Sequence, residues 1–360
     1  MPGLNAAPRQ TIVLQHDTAN DFLALAYPTL RRHEASANIV LAHALKRVSA
    51  EAALSGYQFI SDSDVEAWLS ATDLSSMKSH RNCDSFWLTV WSGTSSRPTL
   101  DLVLSCINWT LGDYPIFLWT PHRRTLSSPE WLIPRIIQLV EQLHFCVPPE
   151  RVFSVFGMTP LVKTFARCWS DLTGFLIEPE PFYAAYFSHC TPETFKYSDA
   201  MLPQGHVLRR ATVRDVEPVA QLCKEFADDS VYFPLTIEAA RIEARELITK
   251  GQIWVYDASG DLTTICAVTR NSNRVSAITK VYTTPRWRRR RCAEFLVRDV
   301  TARLLFDTMK DSVILYVGHE NSAQRVYDRV GFAGLCGKNK SDSIEDSLEL
   351  GFVGAHRGHW

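Results

Sequence analysis

The amino-acid sequence predicts a mixed α/β protein with two domains. Its 360 residues are more than one typical hydrophobic core organises. Residues 188–205 include two prolines and a glycine among polar residues, which is typical of a linker. After them, segments rich in β-branched residues alternate with amphipathic helical segments. We therefore expect domains over residues 11–200 and 201–353, between a loose N-terminus (1–10) and a C-terminal tail (354–360).

Composition excludes several classes of protein. Hydrophobic residues make up 46% of the chain and charged residues 21%, which is ordinary for a globular protein and too apolar for a disordered one. The formal net charge of −1 argues against a chain that is basic throughout, as many nucleic-acid-binding proteins are. No run of the ~18 apolar residues that a membrane helix needs is present, and no secretory signal is recognisable.

The nine cysteines are irregularly spaced, and no two form a Cys-x-x-Cys pair. We therefore expect reduced, mostly buried thiols in an intracellular protein, cytoplasmic or nuclear, without a metal site.

Local patterns place the elements of the first half. Apolar periodicity predicts helices within 19–48, 133–143 and 161–173, and β-branched and aromatic residues predict strands at 85–91, 100–109 and 116–119. Pro28 is expected to kink or end the first helix. Gly174 stands just past the third, where a left-handed residue belongs.

The boundaries of helices and strands are clearer in the second half of the sequence. The predicted order is a strand (208–211), two helices (216–226 and 237–249), a hairpin (253–257 and 263–269), a strand (274–283), a helix (291–306), a strand (312–317), a short helix (322–330) and a last strand (348–353). Thr212 is expected to cap the first of these helices.

A turn in this half has the character of an anion site. Val281-Tyr282-Thr283-Thr284-Pro285 ends the central strand, and Arg288-Arg289-Arg290-Arg291-Cys292-Ala293 opens the long helix. A helix N-terminus leaves about four N–H groups unpaired and carries partial positive charge, so it suits an anion. The order of elements and this turn resemble the GNAT superfamily of N-acetyltransferases, whose signature here is Gln/Arg-x-x-Gly-x-Gly/Ala. The resemblance implies a GNAT fold, with a central mixed β-sheet flanked by helices, in which residues 288–293 cradle the pyrophosphate of acetyl-CoA.

One position departs from the signature. Arg288 and Ala293 match its first and last positions, but Arg291 stands where Gly is expected. A side chain there could block a phosphate, because Gly permits close backbone approach. Alternatively, the four consecutive guanidinium groups could add charge-assisted contacts to phosphates. The other interpretations are a solvated basic loop and a nucleic-acid patch, and one short cluster in a neutral chain disfavours the patch.

A second motif lies within residues 315–332. Asn321, Ala323 and Tyr327 precede Gly331-Phe332, which resembles the family's strand–helix segment with the same residues. The resemblance implies that Asn321 lies near the pantetheine arm and that Tyr327 protonates the departing thiolate. A phenol with a reference pKa of ~10 is protonated at neutral pH, as that role requires. The plainer alternative makes Asn321 only a helix cap and Tyr327 a half-buried aromatic residue.

The resemblance also assigns the central strand a role. The backbone of Val281 and Thr283 would bind the acetyl carbonyl and the pantetheine amide where two strands splay apart. Tyr282 between them should point to the opposite face, because side chains alternate along a strand.

The general base is left open among several residues. The candidates are Glu225, Asp228 and Asp229 at the end of one helix, His319 and Glu320. A water relay would serve equally.

The first half resembles the family more weakly. Phe22, Leu30 and Asn38 are similar to opening helices of two-domain GNAT proteins, and residues 165–174 are similar to the end of such a half. It has neither the arginine-rich turn nor the Asn–Tyr segment, so we expect a degenerate GNAT-like half that is catalytically silent. His33, Glu34 and His43 do not have a spacing that supports a metal site.

Together these features imply an acyltransferase. It would transfer an acetyl group from the co-substrate acetyl-CoA to an amine of a small molecule or peptide, by direct attack in a ternary complex without a metal. Peptide groups near Val281 and Thr283 would polarise the thioester. Two alternatives stay open: a non-catalytic binding or assembly module in which Arg291 blocks the cofactor, and an enzyme that uses a different acyl-CoA. The fold does not name the acceptor.

Overall fold

The computed structural model describes residues 11–59, 61–71, 85–94, 96–229, 232–338 and 346–359. The elements of the first part of the chain are β1 (Ile12–His16), α1 (Ala19–Arg32), α2 (Asn38–Leu54), α3 (Asp62–Ser70), β2 (Phe86–Thr94), β3 (Arg97–Cys106), β4 (Asn108–Trp109), β5 (Gly112–Asp113), β6 (Ile116–Trp119), α4 (Pro129–Cys146), β7 (Ser154–Met158), α5 (Thr159–Thr173) and β8 (Tyr183–Cys190). Those of the second part are β9 (His206–Arg210), α6 (Val216–Asp228), α7 (Ile237–Thr249), β10 (Ile253–Ala258), β11 (Asp261–Asn271), β12 (Val275–Thr283), α8 (Cys292–Ala302), β13 (Ser312–Gly318), α9 (Gln324–Val330) and β14 (Asp346–Gly351). The predicted mixed α/β class is confirmed.

Contacts divide the chain into two compact units. Unit 1 consists of the described residues up to Tyr183 together with those from Leu348 onward, and unit 2 is Ala184–Ser347. The predicted division fell near residue 200 instead. Part of the predicted linker is strand β8, and Phe195 within it is buried in the core of unit 2.

Both units order their strands in the same way. In unit 1 the order is β1-β2-β3-β6-β7-β14, and in unit 2 it is β9-β10-β11-β12-β13-β8. In each, the first four strands are antiparallel neighbours, and the fourth and fifth are parallel. Strand β8, which follows the helices of unit 1 in the chain, completes the sheet of unit 2, while β14 completes that of unit 1. Each unit therefore contains a strand from the other half of the chain.

The sheet of unit 2 has an apolar cluster on each face. Alternation along β10 directs Trp254 and Tyr256 to one cluster and Ile253 and Val255 to the other. The first cluster packs against α8, and the second packs against α6 and α7. The second helix of this pair has the predicted bounds, because Thr236 caps its start by accepting the Ala239 N–H at 3.2 Å.

Several local predictions differ from the structure. Helix α1 continues through Pro28 to Arg32, since burial of Phe22 and Leu30 stabilises it on either side of the proline. The long helix ends at Ala302, and a π-helical turn follows over Arg303–Asp307.

The predictions for the two ends of the chain compare differently with the structure. The predicted loose residues 1–10 lie outside the described part of the chain. The expected tail is bonded to unit 1: the His356 and His359 N–H groups donate to the carbonyls of Glu150 and Asp113. No helix among the described residues is long and apolar enough to cross a membrane.

Eight cysteines fall within the described residues, and all eight are free thiols. Five of them are buried, as expected for core cysteines.

Candidate functional site

Strands β12 and β13 separate in the middle of unit 2. They pair only from Val275–Ala277 to Ser312–Ile314, although β12 runs on to Thr283 and β13 to Gly318. Beyond that point each strand keeps its outer neighbour, β11 or β8. Peptide groups on the facing edges of β12 and β13 are therefore left outside the ladder, in the position where an extended ligand could pair with them.

A bulge lies where the separation begins. Thr279 is the extra residue of β12, because Ala267 pairs with Lys280 and Val268 pairs with Ile278. Its hydroxyl accepts a hydrogen bond from Thr269 Oγ1 at 3.0 Å. Bulges bend a strand and redirect its peptide groups, so this one helps to open the gap.

The predicted face alternation of β12 is confirmed. Val281 packs against the cluster beneath α8, whereas Tyr282 belongs to the opposite cluster with α6 and α7. The Tyr282 ring meets Phe226 edge-on at 6.4 Å. Burial, followed by the carboxylates of Asp229 and Glu225, raises the pKa of Tyr282.

The turn after β12 has an unusual backbone. Arg289 and Arg291 both have φ = 63°, in the left-handed region that favours glycine. Arg291 is the residue before α8, and it makes no side-chain cap to the helix. Arg291 thus has a backbone conformation that favours glycine, and the first N–H groups of α8 receive no bond from its side chain.

The arginines of the turn divide into two groups. Arg288 binds Asp229 at 2.9 Å and the Thr283 carbonyl at 3.0 Å, and Arg291 binds Glu294 at 2.8 Å. Arg290 stacks on the Trp287 ring at 4.7 Å, and the exposed Arg289 has no partner among the residues that the structure describes. Uncompensated positive charge therefore concentrates at Arg289 and Arg290. The run Arg288–Arg291 is not a uniform basic patch.

Glu294 is the polar centre of the helix start. Its side chain is buried, and it accepts from Arg291, Arg298 and Arg329 at 2.8, 3.2 and 2.7 Å. Burial by itself would raise the pKa of the Glu294 carboxyl, but the hydrogen bonds from Arg291 and Arg329 lower it to about 2. The carboxylate is therefore ionised at any physiological pH.

The second motif begins with a local cap. Asn321 Oδ1 accepts the Ala323 N–H at 2.9 Å, just before α9 begins. The helix starts two residues later than predicted, because residues 321–323 form the turn that Asn321 stabilises. Tyr327 lies on α9, with 7% of its surface exposed, and meets the Phe332 ring edge-on at 5.8 Å. It contributes to the same cluster as Cys292 at the start of α8.

Four of the five candidate bases have recognisable surroundings. Asp228 is paired with Lys224 at 2.6 Å, Asp229 with Arg288, and His319 with Asp346 at 3.6 Å. Glu225 accepts from Gln221 at 3.1 Å through Oε1, while its Oε2 is buried without a hydrogen-bond partner in the described part of the chain. Glu225 therefore has a buried carboxylate oxygen with unused acceptor capacity, near enough to Tyr282 to affect its pKa.

Sequence patterns did not point to Glu294 or to an ion pair on the face of α7. Lys280 Nζ binds both oxygens of Glu243, at 2.6 and 2.7 Å, and lies 5.0 Å from the centre of the Phe226 ring. Burial lowers the pKa of Lys280, but Glu243 more than offsets this and the pKa is raised. The spacing of Arg291 and Glu294, three residues apart across a helix start, is the signal that could have revealed the first of these contacts.

The equivalent turn of unit 1 is built differently. A short 3-10 helix follows β6, and α4 then opens with Pro129, which has no N–H, and with Glu130 in its first turn. Buried Asp101 accepts from Arg135 at 2.7 Å, and His122 Nε2 donates to the Leu100 carbonyl at 3.0 Å. Within the described residues, no three His, Cys, Asp or Glu side chains are grouped to hold a metal ion.

Comparisons with known proteins extend this description. No protein-family model matches the sequence, and no curated protein matches it. Among solved structures, the chain is similar to a GCN5-related N-acetyltransferase from Sphaerobacter thermophilus, with 14% identity, 96% of each chain covered and a TM-score of 0.49. It is also similar to a tandem GNAT protein from the clavulanic acid biosynthesis pathway, with 12% identity, 95% of this chain and 98% of that chain covered and a TM-score of 0.47.

A Drosophila protein gives a TM-score of 0.51 at 13% identity, with 75% of this chain and 80% of that chain covered. At such identities the similarity concerns the fold. The solved structures to which the chain is similar thus include GNAT proteins, as the sequence predicted, and the similarity concerns the fold alone.

Proposed function

We propose that unit 2 is an acyltransferase that moves an acetyl group from acetyl-CoA to a primary amine. The observation that carries this proposal is the separation of β12 from β13 beside the open start of α8. Peptide groups that pair with no neighbouring strand can hydrogen-bond the amides of a pantetheine arm. The N–H groups at the start of a helix can bind a pyrophosphate. A single substrate with both features matches both parts of the site.

The turn fits a phosphate-bearing ligand in spite of Arg291. The Arg291 guanidinium is folded back onto Glu294 and over the Phe295 ring, 5.4 Å from its centre, so it does not fill the turn. Arg289 and Arg290 would supply the positive charge. Arg288, held by Asp229 and Thr283, would shape the turn.

The acyl group would lie against β12. The backbone at Val281 and Thr283 would orient the thioester carbonyl and stabilise the charge that develops on its oxygen. Asn321, Ala293 and the buried Cys292 would line the space that the pantetheine arm occupies. Tyr327 would donate its hydroxyl proton to the departing thiolate.

The amine acceptor would approach from the face that carries Tyr282. Glu225 would accept the amine proton, directly or through water, because its buried Oε2 has no other hydrogen bond in the described residues. An amine must lose a proton before or during attack on a thioester, and a carboxylate in this position provides the acceptor. A cytoplasmic location is consistent with the free thiols and with a cytosolic supply of acyl-CoA.

Thermal unfolding with ligand tests the proposal. Acetyl-CoA and CoA should raise the melting temperature, because a ligand at 100 times its Kd adds ~2.7 kcal/mol to the free energy of unfolding. Pantetheine, which lacks the pyrophosphate and nucleotide, is the matched control and should raise it less. Propionyl-CoA and longer acyl-CoAs identify the preferred acyl chain, and thiol release with a panel of amines identifies the acceptor. Absence of any shift at millimolar acetyl-CoA contradicts the proposal.

A further inference from the structure

Three features of the turn at residues 288–294 lie together without an assigned role. They are a left-handed arginine at a glycine position, a buried carboxylate three residues later, and two more arginines on that carboxylate. Left-handed backbone is unfavourable for a residue with a Cβ, and it persists where the surrounding structure holds it in place.

The geometry points to Glu294 as a positioning residue for the proposed phosphate site: it fixes the Arg291 side chain along α8, so that a turn without glycine stays open to a phosphate. The inference rests on the proposed function. It assigns Glu294 an action through Arg291 and no contact with the ligand.

Burial explains why Glu294 can hold the arginine. Its side chain is 4% exposed, whereas that of Arg291 is 52% exposed. Arg298 and Arg329 fix the carboxylate from two further directions, since Arg298 also donates to the Arg329 carbonyl at 3.0 Å. A carboxylate that is already oriented loses little freedom when it binds a third guanidinium, so the mobile Arg291 is the group that becomes ordered.

The charge balance favours the same interpretation. Glu294 takes up the charge of Arg291, while Arg289 and Arg290 keep theirs for a ligand. Without Glu294, the Arg291 side chain would be free to lie across the N–H groups at the start of α8. Recognition of a phosphate by these N–H groups would then compete with the arginine side chain.

A double-mutant cycle tests the inference. Wild type, E294Q, R291G and the double variant are titrated calorimetrically with CoA and with inorganic pyrophosphate, which probes the turn alone. We expect R291G to bind within about threefold of wild type, because glycine accepts the left-handed conformation. E294Q should weaken binding about tenfold. The double variant should return to within about threefold of wild type, because no side chain remains to be held.

R303Q is the matched control. It removes an ion pair with Asp299 at the far end of α8, 2.8 Å long, and leaves all three bonds to Glu294, so CoA affinity should stay within about twofold. If E294Q proves poorly folded, R291G alone still tests the inference. A large loss of CoA affinity in R291G would mean that Arg291 contacts the phosphate, which would contradict it.

The outcomes separate the two proposals. If E294Q weakens CoA binding equally with and without Arg291, Glu294 acts only through general stability and the inference is overturned, while the proposed function stands. If the wild type binds neither CoA nor pyrophosphate, both are overturned. Binding that first appears in R291G also overturns both, because Arg291 would then block the site.

Discussion

The two units order the strands of their sheets in the same way but differ at the turn after the fourth strand. In unit 2 this turn has two left-handed arginines and leads into a helix start without a side-chain cap. In unit 1 the equivalent helix starts with Pro129 and Glu130, beside a buried Asp101–Arg135 pair. Pro129 removes an N–H donor from the start of α4, whereas the first-turn acid of α8, Glu294, is bound by three arginines. This difference supports the proposed anion site in unit 2.

The two units also differ in the surroundings of a buried glutamate, Glu294 in unit 2 and Glu349 in unit 1. Glu294 in unit 2 is surrounded by three arginines and is ionised. Glu349 in unit 1 is fully buried and accepts a hydrogen bond from Ser154 Oγ at 2.7 Å, and burial raises its pKa to about 8. Its other oxygen has no hydrogen-bond partner among the described residues. Unit 2 thus has a buried carboxylate that binds three arginines, whereas in unit 1 burial favours the protonated form of Glu349.

The largest expected effect concerns Tyr327. Tyr327→Phe removes only the hydroxyl and should lower kcat up to about 1000-fold, within the usual range for a general acid, with little change in CoA binding. Steady-state kinetics with the preferred amine provide the measurement, and Tyr183→Phe in unit 1 is the matched control. Turnover at the wild-type rate across pH would rule out the acid role.

A change at the start of α8 should have the next largest effect. Ala293→Glu places a second carboxylate in the first turn of α8, at the helix position that Glu130 has in α4. We expect CoA affinity to fall about 100-fold, or ~2.8 kcal/mol, because like charges in contact cost several kcal/mol. The reciprocal variant Glu130→Ala should leave CoA affinity unchanged by calorimetry. A comparable loss in both variants would mean that both units bind the ligand.

The smallest effect concerns pH and unit 1. The folded-state pKa of Glu349, about 8, lies above the ordinary 4.5, so folded protein retains a proton that the unfolded chain has released. Stability should therefore fall as pH rises from 4.5 to about 8 and then level off. Between pH 6 and 7.5 the wild type should lose on the order of 2 kcal/mol relative to Glu349→Gln, at ~1.36 kcal/mol per pH unit.

Urea unfolding at several pH values measures this difference. Parallel pH profiles for wild type and Glu349→Gln would show that Glu349 is not protonated in the folded state. CoA binding in unit 2 should be the same for both proteins.

Local signals in the sequence were sufficient for much of unit 2. Helix α7 has its predicted bounds because its cap, Thr236, and its end at Lys250-Gly251 are adjacent to it in the chain. The placement of β8 in unit 2 and of most of β14 in unit 1 could not be predicted, since tertiary packing selects the neighbour of a strand and no local pattern names it. The contact between Arg291 and Glu294 was equally hidden, because it depends on the burial of Glu294 as well as on spacing.

The most direct test of the central claim is amide hydrogen exchange with and without CoA. If CoA binds in unit 2 alone, exchange should slow at the start of α8, over residues 292–294, and along the part of β12 that does not pair with β13, over residues 278–283. Exchange at residues 120–135 of unit 1 should not change. Slower exchange in the unit 1 turn, or no change in either unit at saturating CoA, would contradict the assignment of the site to unit 2.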